Sequence, residues 1–132
     1  MSQSDPIADL LTRIRNAHQS KHDRLDVPSS GLKVEICRIL KEEGLIRNFR
    51  AVEGQPANKV RIFLRYGEDG TPAISHLRRV SRPGRRVYQG AEAIRPVLNG
   101  LGVGIISTSQ GLLTDRQARE RRLGGEVLCE IW

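Results

Sequence analysis

Apolar residues recur at helical spacing at the start of the chain. Ile7, Leu10, Leu11 and Ile14 share one face, with Asp9, Arg13 and Asn16 on the other. Asp5 is a good cap for that helix, Pro6 suits its first position, and Asp9 sits near the positive end of the dipole. Arg24 to Pro28 reads as a short extended piece with Leu25 and Val27 on one face. Pro28, Ser29 and Ser30 then punctuate the chain before a second helix, predicted to turn Leu32, Ile36, Ile39 and Leu40 inward and to stop at Gly44. Leu45 to Val52 and Lys59 to Tyr66 read as strands around turn material at Gly54 to Asn58. In the second of them Val60, Ile62 and Leu64 alternate with Lys59, Arg61 and Arg65.

Gly67 to Pro72, with two glycines and a proline, reads as a linker between domains 1–66 and 73–132. Beyond it, Ile74 to Arg82 is predicted as a strand ended by the Pro83–Gly84 turn. Arg86 to Tyr88 is a short strand, and Ala91 to Leu98 a brief helical turn limited by Pro96. The β-branched run Val103 to Thr108 reads as a buried strand, and Leu112 to Thr114 as a short extended piece. Thr114 caps a helix from Asp115 to Leu123, which the Gly124–Gly125 pair is expected to terminate. The chain closes on a strand from Glu126 with Val127, Cys129 and Ile131 alternating. The predicted fold class is α+β: two small packed α/β domains, helix-strand-helix-strand-strand followed by a strand-rich C-terminal domain.

Composition narrows the function. The 132 residues suffice for a modest core, and no apolar run approaches the ~20 residues of a spanning helix. Met1 to Asp5 lacks the layout of a secretory signal, and Cys37 and Cys129 sit apart in apolar patterns. A reducing, cytoplasmic setting without disulfides or membrane is therefore expected. Of the 22 basic residues only four are lysines, so 18 are arginines, whose planar forks suit phosphate. Thr71 to Gly125 holds ten arginines and three acids, net +7, and the flanks sum to zero. That imbalance points to a polyanionic partner.

Enzymatic chemistry is not expected. His18 and His22 share a helical spacing but lack further metal ligands, and read as solvated residues at a fraying helix end. Gly100, Gly102 and Gly104 lack the sixth-position glycine of a dinucleotide loop, Ser107 standing there, so a close backbone approach explains them more simply. No metal or cofactor is expected. A phosphate-handling enzyme would need a general base near Gly100 to Ser107, and none is visible.

Three stretches point to RNA. Arg78, Arg79, Arg82, Arg85 and Arg86 crowd around Pro83–Gly84 with Tyr88 just beyond, and so much like charge calls for something negative. Ser107, Thr108, Ser109, Gln110 and Gly111 form either a plain polar turn or a hydroxyl-rich loop able to reach ribose, phosphate or base edges. Arg116, Arg119, Arg121 and Arg122 extend the positive field.

These residues also carry a family resemblance. The run Asp5-Pro6-Ile7-Ala8-Asp9-Leu10-Leu11-Thr12-Arg13-Ile14-Arg15-Asn16-Ala17 resembles the opening of the bacterial eighth small-subunit ribosomal protein. So do Pro28-Ser29-Ser30, Leu40-Lys41-Glu42-Glu43-Gly44 and Ser81-Arg82-Pro83-Gly84 with Arg86 and Tyr88. Near the end, Ser107-Thr108-Ser109-Gln110-Gly111, Thr114-Asp115, Ala118-Arg119 and Gly124-Gly125-Glu126 continue the match in order. The resemblance implies two α/β domains and a primary rRNA-binding protein. Its target would be an irregular helix in the central domain of small-subunit rRNA, where it organises the platform, and it would repress its own operon through a similar mRNA structure. The implied contacts are Ser107, Thr108, Ser109 and Gly111, supported by Tyr88 and Gly124 to Glu126, with Thr12, Arg13 and Asn16 as a second set. The fifth and twelfth small-subunit proteins are the implied neighbours. A regulatory RNA-binding module or RNA chaperone outside the ribosome is the competing reading, and co-sedimentation with subunits separates the two.

Overall fold

The computed structural model describes residues 5–54 and 57–132, so the predicted turn at Gly54 to Asn58 falls partly outside the described residues. The fold is α+β, with three α-helices and two antiparallel sheets. The chain divides into two compact units, Asp9 to Ile74 and Asp5 to Ala8 together with Ser75 to Trp132.

In the first unit, α1 (Pro6–Gln19, which begins in the other unit) and α2 (Gly31–Glu42) accompany a sheet ordered β1 (Arg24–Pro28), β3 (Lys59–Leu64), β2 (Ile46–Val52). Strand β3 alternates as its sequence predicts: Val60, Ile62 and Leu64 are buried, as are Leu10 and Ile14 of α1 and Ile36 and Leu40 of α2. Each such side chain contributes about 1.5–3 kcal/mol of hydrophobic burial. The Ser30 hydroxyl caps α2 by accepting the Lys33 N–H at 3.2 Å. The helix ends at Glu43, and the chain turns at Gly44.

Leu32 departs from its expected place inside. The buried stripe of α2 runs through Lys33, Ile36, Cys37, Ile39 and Leu40, leaving Leu32 39% exposed. Lys33 can lie inside because its aliphatic stem packs while Nζ donates to the Pro28 carbonyl at 3.2 Å. Residues 67–72 form a bonded turn, with the Gly67 N–H donating to the Thr71 carbonyl at 2.8 Å.

The second unit is built on β8 (Gly125–Ile131). It pairs along one edge with β6 (Val103–Thr108), which in turn pairs with β7 (Gly111–Thr114). Along its other edge lie β4 (Leu77–Arg79) and β5 (Tyr88–Gln89). Ile106 and Val127 pair across β6 and β8 and pack with Ala118 of α3 (Asp115–Arg121), Ile94 and Val80. Thr114 and Gln117 close a capping box at the start of α3.

Three expectations change here. The predicted strand over Ile74 to Arg82 shrinks to Leu77–Arg79, which pairs with Cys129 to Ile131 of β8, while Val80 and Ser81 beyond it still donate their N–H groups to the Leu128 and Val127 carbonyls. The strand read at Arg86 to Tyr88 is Tyr88–Gln89, and the helical turn read over Ala91 to Leu98 is a 3-10 turn at Val97–Gly100. Helix α3 ends at Arg122 in the left-handed conformation, φ 55°, ahead of the two glycines. Those glycines serve strand packing instead: a Cβ on Gly125 would lie 2.1 Å from the Ser107 carbonyl oxygen, and one on Gly124 2.6 Å from that of Gln89.

Candidate nucleic-acid interface

The close approach at Gly125 sets the register that builds the site. Ser107 pairs with Glu126, and Glu126 pairs with Tyr88. Directly paired residues in an antiparallel sheet share a face, so Tyr88, Glu126 and Ser107 form one row across β5, β8 and β6. Along that face the buried Ile105–Cys129 pair gives way to this polar row, where Tyr88 is 69% exposed.

Glu126 works within the protein. Its carboxylate accepts from the buried Ser81 hydroxyl and from Arg86 Nη1 at 3.0 Å. Burial opposes its charge, but the Ser81 and Arg86 hydrogen bonds prevail and hold the carboxyl below its ordinary value. Ser81 also accepts the Val87 N–H at 3.1 Å. The result ties Arg86 to Glu126, the residue paired with Tyr88, and leaves the remaining guanidinium donors open to an oxyanion.

At the end of the row β6 and β7 join through a two-residue turn, Ser109–Gln110. Thr108 is spent on holding it: Oγ1 donates to the Gly111 carbonyl at 2.8 Å and accepts the Gln110 N–H at 3.0 Å. Gly111 has φ +97° with open space where a Cβ would stand, so it is there for the turn's conformation, not for clearance inside the fold. Ser107 and Ser109 differ from Thr108: among the described residues their hydroxyls have no partner, and Ser109 is exposed. Arg121 Nη1 donates to Gln110 Oε1 at 3.4 Å, linking α3 to the turn.

The arginines divide into two kinds. Arg79, its side chain 8% exposed, is consumed by Asp5 at 3.0 Å and by the Leu128 carbonyl at 2.6 Å. Arg119 pairs with Asp115 at 2.8 Å, and Asp115 also accepts the Gly104 N–H at 2.9 Å. The negative groups that the crowded arginines called for are therefore partly the protein's own. By contrast, the side chains of Arg82, Arg85, Arg116 and Arg122 make no hydrogen bond or ion pair among the described residues. Arg82 and Arg85 line a separate cleft of about 540 Å³ with Arg78, Gln89 and Glu130.

Thr12, Arg13 and Asn16 lie in the other unit, exposed on one side of α1, with Arg13 held to Asp9 at 2.9 Å. His18 corrects the reading of a solvated helix end. It is 4% exposed, packs edge-on against Tyr66 with ring centroids 5.3 Å apart, and neither ring nitrogen has a hydrogen-bond partner among the described residues. Burial and then Lys21 lower its pKa. Among the described residues no group of His, Cys, Asp and Glu is placed to hold a metal. Gly102 packs against Val97 and the Ile131 carbonyl, a close approach and not a phosphate loop. Cys37 and Cys129 are buried and unpaired, and burial pushes both thiols up to about 12.

A family model described as Ribosomal protein S8 matches residues 5–132. The chain belongs to the ribosomal protein S8 family. The small ribosomal subunit protein uS8 of Rubrobacter xylanophilus is 56% identical over all 132 residues of both chains. The proteins of that name from Streptococcus suis and Halothermothrix orenii are 54% and 50% identical over the same full length. Membership of the S8 family agrees with the α+β fold and covers both units. Among the described residues of this family member no helix is long and apolar enough to cross a membrane.

Proposed function

We propose that this protein is a structural constituent of the small ribosomal subunit, without enzymatic activity, and that it binds small-subunit rRNA directly in the cytoplasm. The observation that carries the reading is the row Tyr88, Glu126 and Ser107, ending at the free hydroxyl of Ser109. An exposed aromatic ring next to unsatisfied short hydroxyls suits the shallow minor groove and displaced bases of an irregular RNA helix. Arg86, pinned by Glu126, and Arg82, whose side chain has no partner among the described residues, supply phosphate contacts that position without reading sequence. Thr108, Gly111, Gly124 and Gly125 act one step back: they hold the turn and strands that present Ser107 and Ser109.

The target is a helix of the central domain, bound early enough to organise the platform, with the fifth and twelfth small-subunit proteins as neighbours. A matching structure in the mRNA of its own operon would engage the same row, which supports translational repression. Thr12, Arg13 and Asn16 provide a second RNA contact from the exposed side of α1. Chemical footprinting of purified small-subunit rRNA with this protein alone tests the reading. Protection centred on one irregular central-domain helix, lost on Ser107→Ala/Ser109→Ala, is the expected result. Diffuse protection following only phosphate density would overturn it.

A further inference from the structure

Charge in the first unit is segregated by face. Strands β1, β2 and β3 carry Arg24, Arg47, Arg50, Lys59 and Arg61 against a single carboxylate, Asp26. Along β3, Lys59, Arg61 and Phe63 alternate with the buried Val60, Ile62 and Leu64, so they stand on the sheet face turned away from the core. The register aligns Arg24 and Asn48 on either side of Phe63, and Asp26 and Arg50 on either side of Arg61. Asp26 is taken by Arg61 in a two-pronged pair at 2.9 and 3.1 Å. Phe63 is half-buried, with the guanidinium carbons of Arg47 and Arg50 5.6 and 5.7 Å from its ring centroid. Two like charges are thus gathered at one aromatic ring with no acid between them. Arg47 also lines, with Lys41, Arg65 and Asp23, an open cleft of about 650 Å³.

The geometry points to this outer sheet face as a further RNA-binding surface, apart from the row on β5, β8 and β6 and from α1, in which Arg47, Arg50, Lys59 and Arg24 take phosphates and Phe63 lends a ring face to a base. The inference rests on the proposed role in the small subunit, since it requires an RNA long enough to reach both units. Guanidiniums held at an aromatic ring are preorganised for oxyanions and for stacking. A protein partner fits the face less well. The cores of protein interfaces are depleted of charge, and none of the exposed large apolar side chains, Leu32, Tyr88, Leu98 and Leu101, belongs to these strands.

The test compares two RNAs, an isolated central-domain helix and full-length small-subunit rRNA, across a salt titration. Arg47→Gln/Arg50→Gln is expected to bind the isolated helix as the unmodified protein does. On full-length rRNA it should lose about 1.4–1.8 from the log–log salt slope, at 0.7–0.9 per phosphate contact, together with a patch of protection outside that helix. Arg47→Lys/Arg50→Lys should keep the slope, and Phe63→Leu should weaken the distal protection while leaving the slope alone. Equal slopes and footprints for the glutamine variant on full-length rRNA would overturn this inference while leaving the first site standing. So would photocrosslinks from position 50 that reach protein in assembled subunits and never RNA. If the unmodified protein fails to bind the isolated helix, the role it rests on fails, and this inference with it.

Discussion

The hairpin between β6 and β7 separates two jobs for neighbouring hydroxyls, and single-atom deletions can tell them apart. Thr108 Oγ1 makes two hydrogen bonds within the turn, to Gly111 and from Gln110. At a net ~0.5–1.5 kcal/mol each, Thr108→Val is expected to lower folding stability by about 1–2 kcal/mol, the turn being partly exposed. Ser107 and Ser109 have no hydrogen-bond partner among the described residues. Removing either hydroxyl by substitution to alanine costs the fold nothing beyond the ~0.5 kcal/mol typical of surface changes. Against cognate RNA the order reverses. Each serine deletion leaves an RNA group unpaired, at about 1–3 kcal/mol or roughly 5- to 140-fold in affinity. Short side chains make such contacts inexpensive in entropy. The assay pairs urea unfolding with binding to a central-domain helix and to an unrelated duplex. Ser107→Ala and Ser109→Ala should fold as before, bind the duplex as before and lose the cognate helix. Wild-type cognate affinity in both serine variants would refute the reasoning, because a polar turn with no RNA role gives that result.

Three more outcomes follow from the same geometry. Gly125→Ala should destabilise by about 1–3 kcal/mol through overpacking against the Ser107 carbonyl and weaken cognate RNA binding with it, measurable by urea unfolding and titration; an unstrained Gly125→Ala variant would show that β8 and β6 are not locked here. Below pH 7, stability should fall as the unfolded chain protonates at position 18 while folded His18, its pKa lowered by burial and Lys21, stays neutral; the loss starts near the unfolded value of 6.5, deepens towards the folded one at no more than ~1.4 kcal/mol per pH unit, and should be absent from unfolding curves of His18→Phe. Binding to an isolated central-domain helix should show a salt slope near −4.5, about five contacts at ~0.9 each, because the side chains of Arg82, Arg85, Arg116 and Arg122 have no partner among the described residues and Arg86 keeps open donors beside its bond to Glu126; a slope beyond −7 would mean that the other ion-paired arginines are released on binding.

Much of the fold is legible in the sequence wherever a local rule decides it. Asp5 caps α1 through the Ala8 N–H at 3.1 Å, Ser30 and Thr114 cap the other helices, and β3 alternates residue by residue. Failures occur where a distant neighbour decides. Only Leu77–Arg79 of the predicted strand pairs residue by residue with β8, and the buried stripe of α2 passes through Lys33, whose ammonium has the Pro28 carbonyl, and not through Leu32. His18 is buried against Tyr66, a residue 48 positions away in the chain, so periodicity alone could not mark it. Gly124 and Gly125 look like a helix stop in one dimension and are a strand contact in three. The hydroxyl loop was visible as a motif, but the division of labour between Thr108 and the two serines depends on turn geometry that composition does not carry.

Charge shows most sharply why counting along the chain and counting over a surface differ. Residues 1–70 and 126–132 together sum to zero, yet β1, β2 and β3 hold five cations and one acid. The balancing acids lie elsewhere: Glu35 and Glu42 bind Arg38 on α2, and Asp9 binds Arg13 on α1. The opposite correction applies to Thr71 to Gly125, whose formal +7 overstates what a partner can reach, since acids from outside the segment, Asp5, Glu126 and Glu130, pair with Arg79, Arg86 and Arg78. Exposed pairs such as Arg13–Asp9 and Arg38–Glu42 add little stability. Their effect is to fix where guanidiniums point, and Glu126 is the clearest case. A carboxylate in the middle of the row proposed to face RNA repels phosphate, but its Oε2 is taken by Ser81 and Arg86, which ties a cation to the residue paired with Tyr88. An acid at this position thus lowers non-specific attraction while ordering the one arginine in the row. That combination favours a shaped RNA over an arbitrary polyanion.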